Sequence, residues 1–223
     1  DLYVNPDFNT YSDLGKTLAT NTDYVRAAKS TAKGMQSITQ GTAVNQFQLQ
    51  TTVLPNSKAS INKSVTSARY TMIDSLSYGA SESYVVYAVI KRDNGSGTAG
   101  IIGSELLYTS TIHWTGNLVY WRDAGNASFG ATIPMTNNIV VNAFVVDRAA
   151  GEMRVYTNGS LSGTVDISSS TNGVVHNMLY NRRINGNTEM DYGITLVYGG
   201  LHSAANVGTV SDWMNTYYGG LIY

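Results

Sequence analysis

The sequence predicts an all-β protein, a two-sheet antiparallel jelly-roll sandwich with a short C-terminal helix. Runs of β-branched and aromatic residues recur from about residue 59 onward, and Gly and Asn separate them at spacings typical of antiparallel sandwiches. A single all-β unit of this kind reaches roughly 200 to 250 residues, which fits the 223 residues of the chain. We therefore predict an N-terminal extension or arm over residues 1–20 and one jelly-roll domain over residues 21–223.

The clearest predicted strand covers residues 84–91, which are almost continuously apolar and too few for a typical helix. Such a run predicts a central strand buried on both faces. Residues 139–146 have the same character and end at Asp147.

Two hairpins are predicted from their turns. Asn158-Gly159 suits a type I′ turn, because both residues tolerate positive φ, and it joins residues 152–157 to residues 160–167. In this hairpin the side chains alternate, with Met153, Val155 and Thr157 on one face and Arg154 and Tyr156 on the other. A second hairpin turns at Thr115-Gly116-Asn117 and joins residues 106–114 to residues 118–123.

Helix signals lie near the two ends of the chain. Residues 211–218 predict a helix that Ser211 caps and Gly219 ends, and residues 12–19 are a weaker candidate. Residues 20–58 show little periodicity, so they are either edge strands and loops or a partly independent arm.

The composition excludes several classes of partner and cofactor. Charged residues make up 13% of the chain and the formal net charge is -1, which gives no basic surface for nucleic acid or anionic lipid. The absence of cysteine excludes disulfides, thiolate catalysis and Cys-ligated zinc. The longest apolar stretch, residues 84–90, falls short of the roughly 20 residues of a membrane helix. We expect neither nucleic-acid binding nor membrane insertion, and folding needs no cofactor.

Four segments follow one another in a familiar order: residues 46–49 and 60–72, residues 83–93, residues 141–164, and residues 192–198 with 211–217. The third contains DRAAGEMRVYTNGSLSGT, from Asp147 to Thr164. This order resembles the concanavalin A-like lectin/glucanase superfamily, especially laminin-G-like domains of secreted adhesins, phage fibres and other virion surface proteins. The resemblance implies the jelly-roll fold, whose members include lectins, hydrolases, lyases and structural modules.

The superfamily's glucanases carry Glu-x-Asp-x-x-Glu on one strand, because cleavage of a glycosidic bond needs two carboxylates. Glu189-Met190-Asp191 matches the start of this pattern, but Ile194 stands where the last Glu should be. We therefore predict no enzymatic activity and interpret Glu189 and Asp191 as solvent-facing or strand-edge residues.

Metal and nucleophile motifs are also missing from the sequence. His113, His176 and His202 show no zinc-binding spacing, and no G-x-S-x-G motif occurs.

Calcium sites in the laminin-G-like relatives use Asp, Asn and backbone carbonyl oxygens from separate loops. Asp93, Asn94, Asp123 and Asn126 are conceivable donors, although ordinary Asx turns explain them better.

The most suggestive surface lies around the second hairpin, where aromatic and polar residues cluster: Tyr108, His113, Trp114, Tyr120, Trp121, Arg122 and Asp123. Strand alternation sends Tyr120 and Arg122 to one face and Trp121 to the other. We predict that Trp114, Tyr120 and Arg122 bind a glycan, with core packing or subunit contact as the alternative. Trp213 is expected to pin the C-terminal helix to a sheet.

Three functions follow, in order of preference. The first is a receptor- or carbohydrate-binding domain, extracellular or on a virion, phage fibre or secreted adhesin. The second is a structural capsid, fibre or filament subunit, and the third is a polysaccharide-cleaving enzyme. The uncharged, Gln- and Thr-rich N-terminal third favours assembly, so we also predict a homo-oligomer or lattice subunit.

Overall fold

The computed structural model describes residues 2–4, 10–11, 24–25, 27–29, 37–39, 47–54, 58–62, 70–92, 98–104, 109–134, 136, 138–179 and 190–220. Within these ranges the chain forms two antiparallel sheets and one helix near the C-terminus, which confirms the predicted all-β sandwich.

The described residues contribute nine strands to the first sheet. They are β1 (Leu2–Val4), β3 (Tyr24–Val25), β6 (Phe47–Leu54), β7 (Lys58–Asn62), β9 (Tyr84–Arg92), β14 (Val140–Asp147), β15 (Glu152–Thr157), β16 (Ser160–Asp166) and β18 (Met190–Gly199). Their spatial order is β16-β15-β14-β9-β18-β7-β6-β3, and β1 pairs with β18. Strands distant in sequence are thus neighbours at the centre of the sheet.

Nine strands from the described part of the chain also form the second sheet. They are β2 (Thr10–Tyr11), β4 (Ala27–Lys29), β5 (Ser37–Thr39), β8 (Tyr70–Tyr78), β10 (Thr98–Gly103), β11 (Ile112–Thr115), β12 (Leu118–Arg122), β13 (Ser128–Thr132) and β17 (Val174–Leu179). Their order is β13-β12-β11-β10-β17-β8-β5-β4-β2. β1 and β2, which lie within the predicted arm, pair with strands of the two sheets.

The core lies between the sheets. Its largest side chains are fully buried or nearly so: Trp114, Trp121, Tyr84, Tyr192 and Phe144. Because β9 sends Tyr84 and Val86 into this core and Val85 and Tyr87 to the opposite face, both of its faces are covered. The predicted central strand is confirmed.

Both predicted turns form. Asn158 and Gly159 have φ values of 50° and 78°, and Thr157 pairs with Ser160 across the turn. Gly116 has φ 58° in the turn between β11 and β12. These positive φ values explain why Asn and Gly occupy the turns.

Helix α1 (Ala204–Tyr217) covers the outer face of the first sheet. It ends at Tyr217, and Gly219, whose φ is 80°, follows the C-cap residue Tyr218 at the predicted stop. Its predicted start was wrong, because Ser203 is the N-cap and accepts a hydrogen bond from the Asn206 amide at 3.2 Å. Ser211 lies inside the helix and is buried. The weaker helix candidate, residues 12–19, lies outside the described residues.

The predicted role of Trp213 was also wrong. Trp213 is 46% exposed, whereas Val207, Met214 and Tyr218 are fully buried against the first sheet. These three positions are spaced by seven and four residues and so share one side of the helix. Trp213 lies outside this buried side of the helix.

Candidate functional site

The outer face of β11, β12 and β13 carries the predicted binding residues. Val119 and Trp121 of β12 point into the core, so alternation turns Leu118, Tyr120 and Arg122 outward. We call the outward residues of these strands, with the adjoining Thr111, the hairpin surface: Thr111, His113, Thr115, Leu118, Tyr120, Arg122, Ser128, Gly130 and Thr132.

Tyr120 is held in place from two sides. On one side its ring stacks on His113, with centroids 5.1 Å apart and planes 13° apart. On the other it lies over Gly130, where an added Cβ would come within 2.6 Å of the ring. Packing therefore orders the ring before any ligand arrives.

His113 is buried beneath this surface although its strand sends it outward. Thr111 Oγ1 lies 3.0 Å from its Nδ1. Burial, and to a smaller extent the charge of Arg122, lowers the pKa of His113 to about 3. The imidazole is thus neutral at physiological pH and serves as a flat support for Tyr120.

Arg122 brings a positive charge to the hairpin surface. Its Nε donates to Ser128 Oγ at 3.1 Å across the β12–β13 pair. This hydrogen bond directs the guanidinium along the surface, on the side of Tyr120 opposite to Leu118.

Trp114 does not belong to this surface. It is fully buried, and its ring stacks on Phe144 with centroids 6.5 Å apart. The register explains this, because Trp114 pairs with the inward-facing Val119. The structure therefore leaves Tyr120 and Arg122 on the surface and corrects the placement of Trp114. Tyr108 lies outside the described residues.

Trp121 points inward, as alternation predicts, and anchors the hairpin from below. Its indole Nε1 donates to the Tyr84 hydroxyl at 2.9 Å, and the Arg148 guanidinium lies 5.0 Å from its ring centroid. The surface hairpin is thus fixed to the central strand β9.

Asp123, a conceivable calcium donor, accepts hydrogen bonds from other groups of the protein with both carboxylate oxygens. Its Oδ1 accepts from the Ala127 amide at 3.0 Å, and its Oδ2 accepts from Ser170 Oγ at 2.7 Å and Asn172 Nδ2 at 3.3 Å. This favours the turn interpretation over a metal role. Asn126 is exposed at the tip of the same turn with φ 67°, whereas Asp93 and Asn94 lie outside the described residues.

The acidic pattern of the glucanases does not form a site among the described residues. Asp191 was expected at the solvent or a strand edge, but it is 1% exposed and accepts from Ser60 Oγ at 2.7 Å. Lys91 Nζ lies 3.8 Å from Asp191 Oδ2. Ile194 is buried under α1, and Glu189 lies outside the described residues.

The other two histidines serve structural contacts. His176 is fully buried and its Nδ1 donates to the Ser110 carbonyl at 2.7 Å, and burial lowers its pKa to about 4. His202 Nδ1 lies 2.7 Å from the Tyr87 hydroxyl, and burial lowers its pKa. Across the described ranges no three His, Asp or Glu side chains gather as metal ligands.

The sequence did not reveal an aromatic pair on α1, in which Trp213 is exposed and Tyr217 is partly buried against the core. Trp213 and Tyr217 lie one turn apart on α1, with ring centroids 6.3 Å apart and planes 36° apart, and Lys58 Nζ lies 4.1 Å from the Tyr217 centroid. We call Lys58, Trp213 and Tyr217 the helix surface. The spacing of Val207, Met214 and Tyr218 could have shown that Trp213 faces outward, once the helix was known to start at Ala204.

Three solved structures similar to the chain are botulinum neurotoxin domains. A type C structure, described as requiring interaction with two ganglioside molecules for cell entry, has a TM-score of 0.62 and 11% identity over 92% of this chain and 50% of its own. The type D binding domain has a TM-score of 0.59 and 13% identity over 95% and 51%. The type D ligand-binding domain in complex with N-acetylneuraminic acid has a TM-score of 0.54 and 13% identity over 85% and 50%.

The likeness to these structures concerns the fold. The chain spans about half of their length, and identities of 11% to 13% do not carry binding residues across. No protein-family model matches the sequence, and no curated protein matches it either. In the part of the chain that the structure describes, no helix has the length and apolar character to cross a membrane.

Proposed function

We propose that this chain is a non-catalytic recognition domain that binds a cell-surface glycan or glycosylated receptor through its hairpin surface. The observation that carries the proposal is the ordered Tyr120 ring, stacked on His113 at 5.1 Å and placed beside Arg122. An aromatic ring packs on the apolar C–H patches of a sugar, while guanidinium and hydroxyl groups bond its hydroxyls.

Rigidity supports this assignment. His113, Gly130 and the Trp121 anchor already order the surface. The free energy of binding is therefore not reduced by an entropy cost of ordering these side chains. Sites built on strands are also positioned more accurately than sites built on loops.

The non-catalytic part of the proposal is supported by the positions of the acidic pattern. A retaining glycosidase needs two carboxylates roughly 5 to 5.5 Å apart across the sugar bond. Asp191 is instead buried against Ser60, and an aliphatic side chain, Ile194, fills the position of the final Glu.

The comparisons support recognition at the level of the fold, since similar structures are binding domains whose described ligands are gangliosides and N-acetylneuraminic acid. We place the domain outside the cytoplasm, on a secreted adhesin or on a virus or phage particle. We further propose that it acts as a homo-oligomer.

A glycan array tests the proposal, with the wild type compared with Tyr120→Ala and Arg122→Gln. We expect glycan binding by the wild type and a loss of about tenfold or more in each variant, as is typical when a central binding side chain is truncated. Leu161→Ala is the matched control, because Leu161 is 58% exposed on β16 of the first sheet and is not one of the hairpin-surface residues.

Two results would overturn this function. If the wild type binds no glycan but assembles into regular oligomers, the chain is a structural subunit. If it releases reducing ends from a polysaccharide, it is an enzyme.

A further inference from the structure

β13 is the edge strand of the second sheet, next to the hairpin turn. It pairs with β12 without a register shift, and no strand within the described ranges pairs with it on the other side. Beyond its two ends the pattern continues, since the Ile133 amide donates to the Asn117 carbonyl at 2.8 Å and the Asp123 amide donates to the Ala127 carbonyl at 3.2 Å. The odd-numbered residues of this segment therefore direct their backbone groups toward β12.

The even-numbered residues of β13 direct their backbone groups away from the sheet. Successive residues of a strand alternate in this direction, so the N–H and C=O groups of Ser128, Gly130 and Thr132 lie along the outer edge. All three residues are exposed. Such a row of donors and acceptors is a template for another strand.

β16, the edge strand of the first sheet, lies at the same side of the sandwich but differs in character. An added Cβ at Gly163 of β16 would come within 2.9 Å of Ile133, which follows β13. β16 has a register shift in its pairing with β15, and Asp166 places a charge at its end. Bulges and charges deter pairing with another chain, and β13 has neither.

The edge of β13 is complementary to itself. Gly130 lies midway between Ser128 and Thr132, so a two-fold axis at Gly130 sets Ser128 of one copy opposite Thr132 of the other. Every outward amide then faces a carbonyl of the second copy. The side chains at these positions are small, and Gly130 adds none where the two strands cross the axis.

The inner face of β13 favours a second copy over an unrelated peptide. Phe129 and Ala131 point toward the core but are only partly buried. The same axis sets Phe129 of each copy opposite Ala131 of the other, so a large ring meets a small side chain and both become more buried. An added peptide strand is recognised through pockets for its alternate side chains, and the small residues on the outer face of β13 offer it little of this kind.

We infer that two copies of the chain associate by antiparallel pairing of β13 with β13 about a two-fold axis at Gly130. The second sheets of both copies then form one continuous sheet, and two hairpin surfaces lie side by side on its outer face. The contact is short, so the dimer is weak, but two adjacent surfaces raise the avidity for a repeated ligand. The inference rests on the homo-oligomer proposed above and specifies its contact.

Analytical ultracentrifugation over a range of protein concentrations tests this pairing with two double variants that differ only at position 132. Ser128→Glu/Thr132→Glu sets like charges opposite each other across the axis, so we expect the dissociation constant of the dimer to rise about tenfold or more. Ser128→Glu/Thr132→Lys sets opposite charges there and should dimerise at least as well as the wild type. Because both variants share Ser128→Glu, its effects within the chain are matched.

A wild type that stays monomeric at every concentration would overturn the inference. Equal dissociation constants for the two double variants, with both shown to be folded by circular dichroism, would also overturn it. Glycan binding is read separately on the array. A monomer that binds glycans would leave the recognition function standing, whereas a dimer that binds none would leave only the pairing.

Discussion

The backbone amide of Ile194 donates a hydrogen bond to the hydroxyl oxygen of Tyr218 at 3.0 Å. It joins the C-terminal end of α1 to β18, at the point where the pairing of β18 with β9 is irregular. Both groups are buried, so the bond ties the helix to the sheet from the inside.

Replacement of Tyr218 by Phe should destabilise the protein by about 1–3 kcal/mol, because the buried Ile194 amide loses its acceptor. For a chain of this size, each 1 kcal/mol lowers Tm by about 2–4 °C. Thermal unfolding followed by circular dichroism measures the shift. Tyr120→Phe, at a partly exposed tyrosine on the other sheet, is the control and should shift Tm much less.

Gly193→Ala should disturb the same junction from the strand side. An added Cβ would collide with the Tyr218 hydroxyl and come within 3.0 Å of Leu54 and Val89. We expect a loss of about 1–3 kcal/mol from overpacking. The double variant with Tyr218→Phe should lose less than the sum, because removal of the hydroxyl oxygen removes part of the collision. Strict additivity in denaturant unfolding would contradict this coupling.

Acid should destabilise the protein through its buried histidines. In the unfolded chain His176 takes up a proton near pH 6.5, but burial lowers its pKa in the folded protein to about 4. The unfolded state therefore binds more protons between these values. The stabilising effect is complete above about pH 6.5 and is lost as the pH falls toward 4. At pH 5 the loss is about 2 kcal/mol for this one group.

His113, with a folded pKa of about 3, acts in the same direction. Denaturant unfolding at pH 7 and pH 5 measures the combined effect. His176→Gln should make the stability depend less on pH, since one proton-binding group is removed from the unfolded chain. An unchanged pH dependence in this variant would contradict the assignment.

Removal of the Asp123 carboxylate should be costly. Asp123→Ala leaves the Ala127 amide, Ser170 hydroxyl and Asn172 amide without their acceptor, and we expect a loss of more than about 2 kcal/mol. Hydrogen exchange at the Ala127 amide should quicken. A chelator should leave the wild-type Tm unchanged, whereas a fall in Tm with EDTA would indicate that a metal is held there.

Parts of this fold could be predicted from the sequence because the local conformational preferences of the residues agree with their tertiary environment. The continuous apolar run of β9 is stable only where both faces are buried, which is the middle of a sheet covered on both sides. Asn158-Gly159 and Gly219 predict backbone with positive φ, because Asn and Gly tolerate it. These signals involve one or two residues and their own backbone.

Other parts depend on partners that are distant in sequence. Ser203 and Ser211 are equally good caps, and only the burial of Ser211 against the first sheet decides between them. The inward orientation of Trp114 follows from the β11–β12 register, and the exposure of Trp213 follows from the helix start. The strands within residues 20–58 show little periodicity, so only their pairing reveals them.

The pairing of β1 with β18 and the position of α1 place both ends of the described chain on the side of the first sheet. A tag at either end would therefore hold the protein to a solid support by that side. The hairpin surface would face the solution, and the helix surface would face the support. A single immobilisation scheme thus samples the two surfaces unequally, and tagged protein on a chip should be compared with untagged protein in solution.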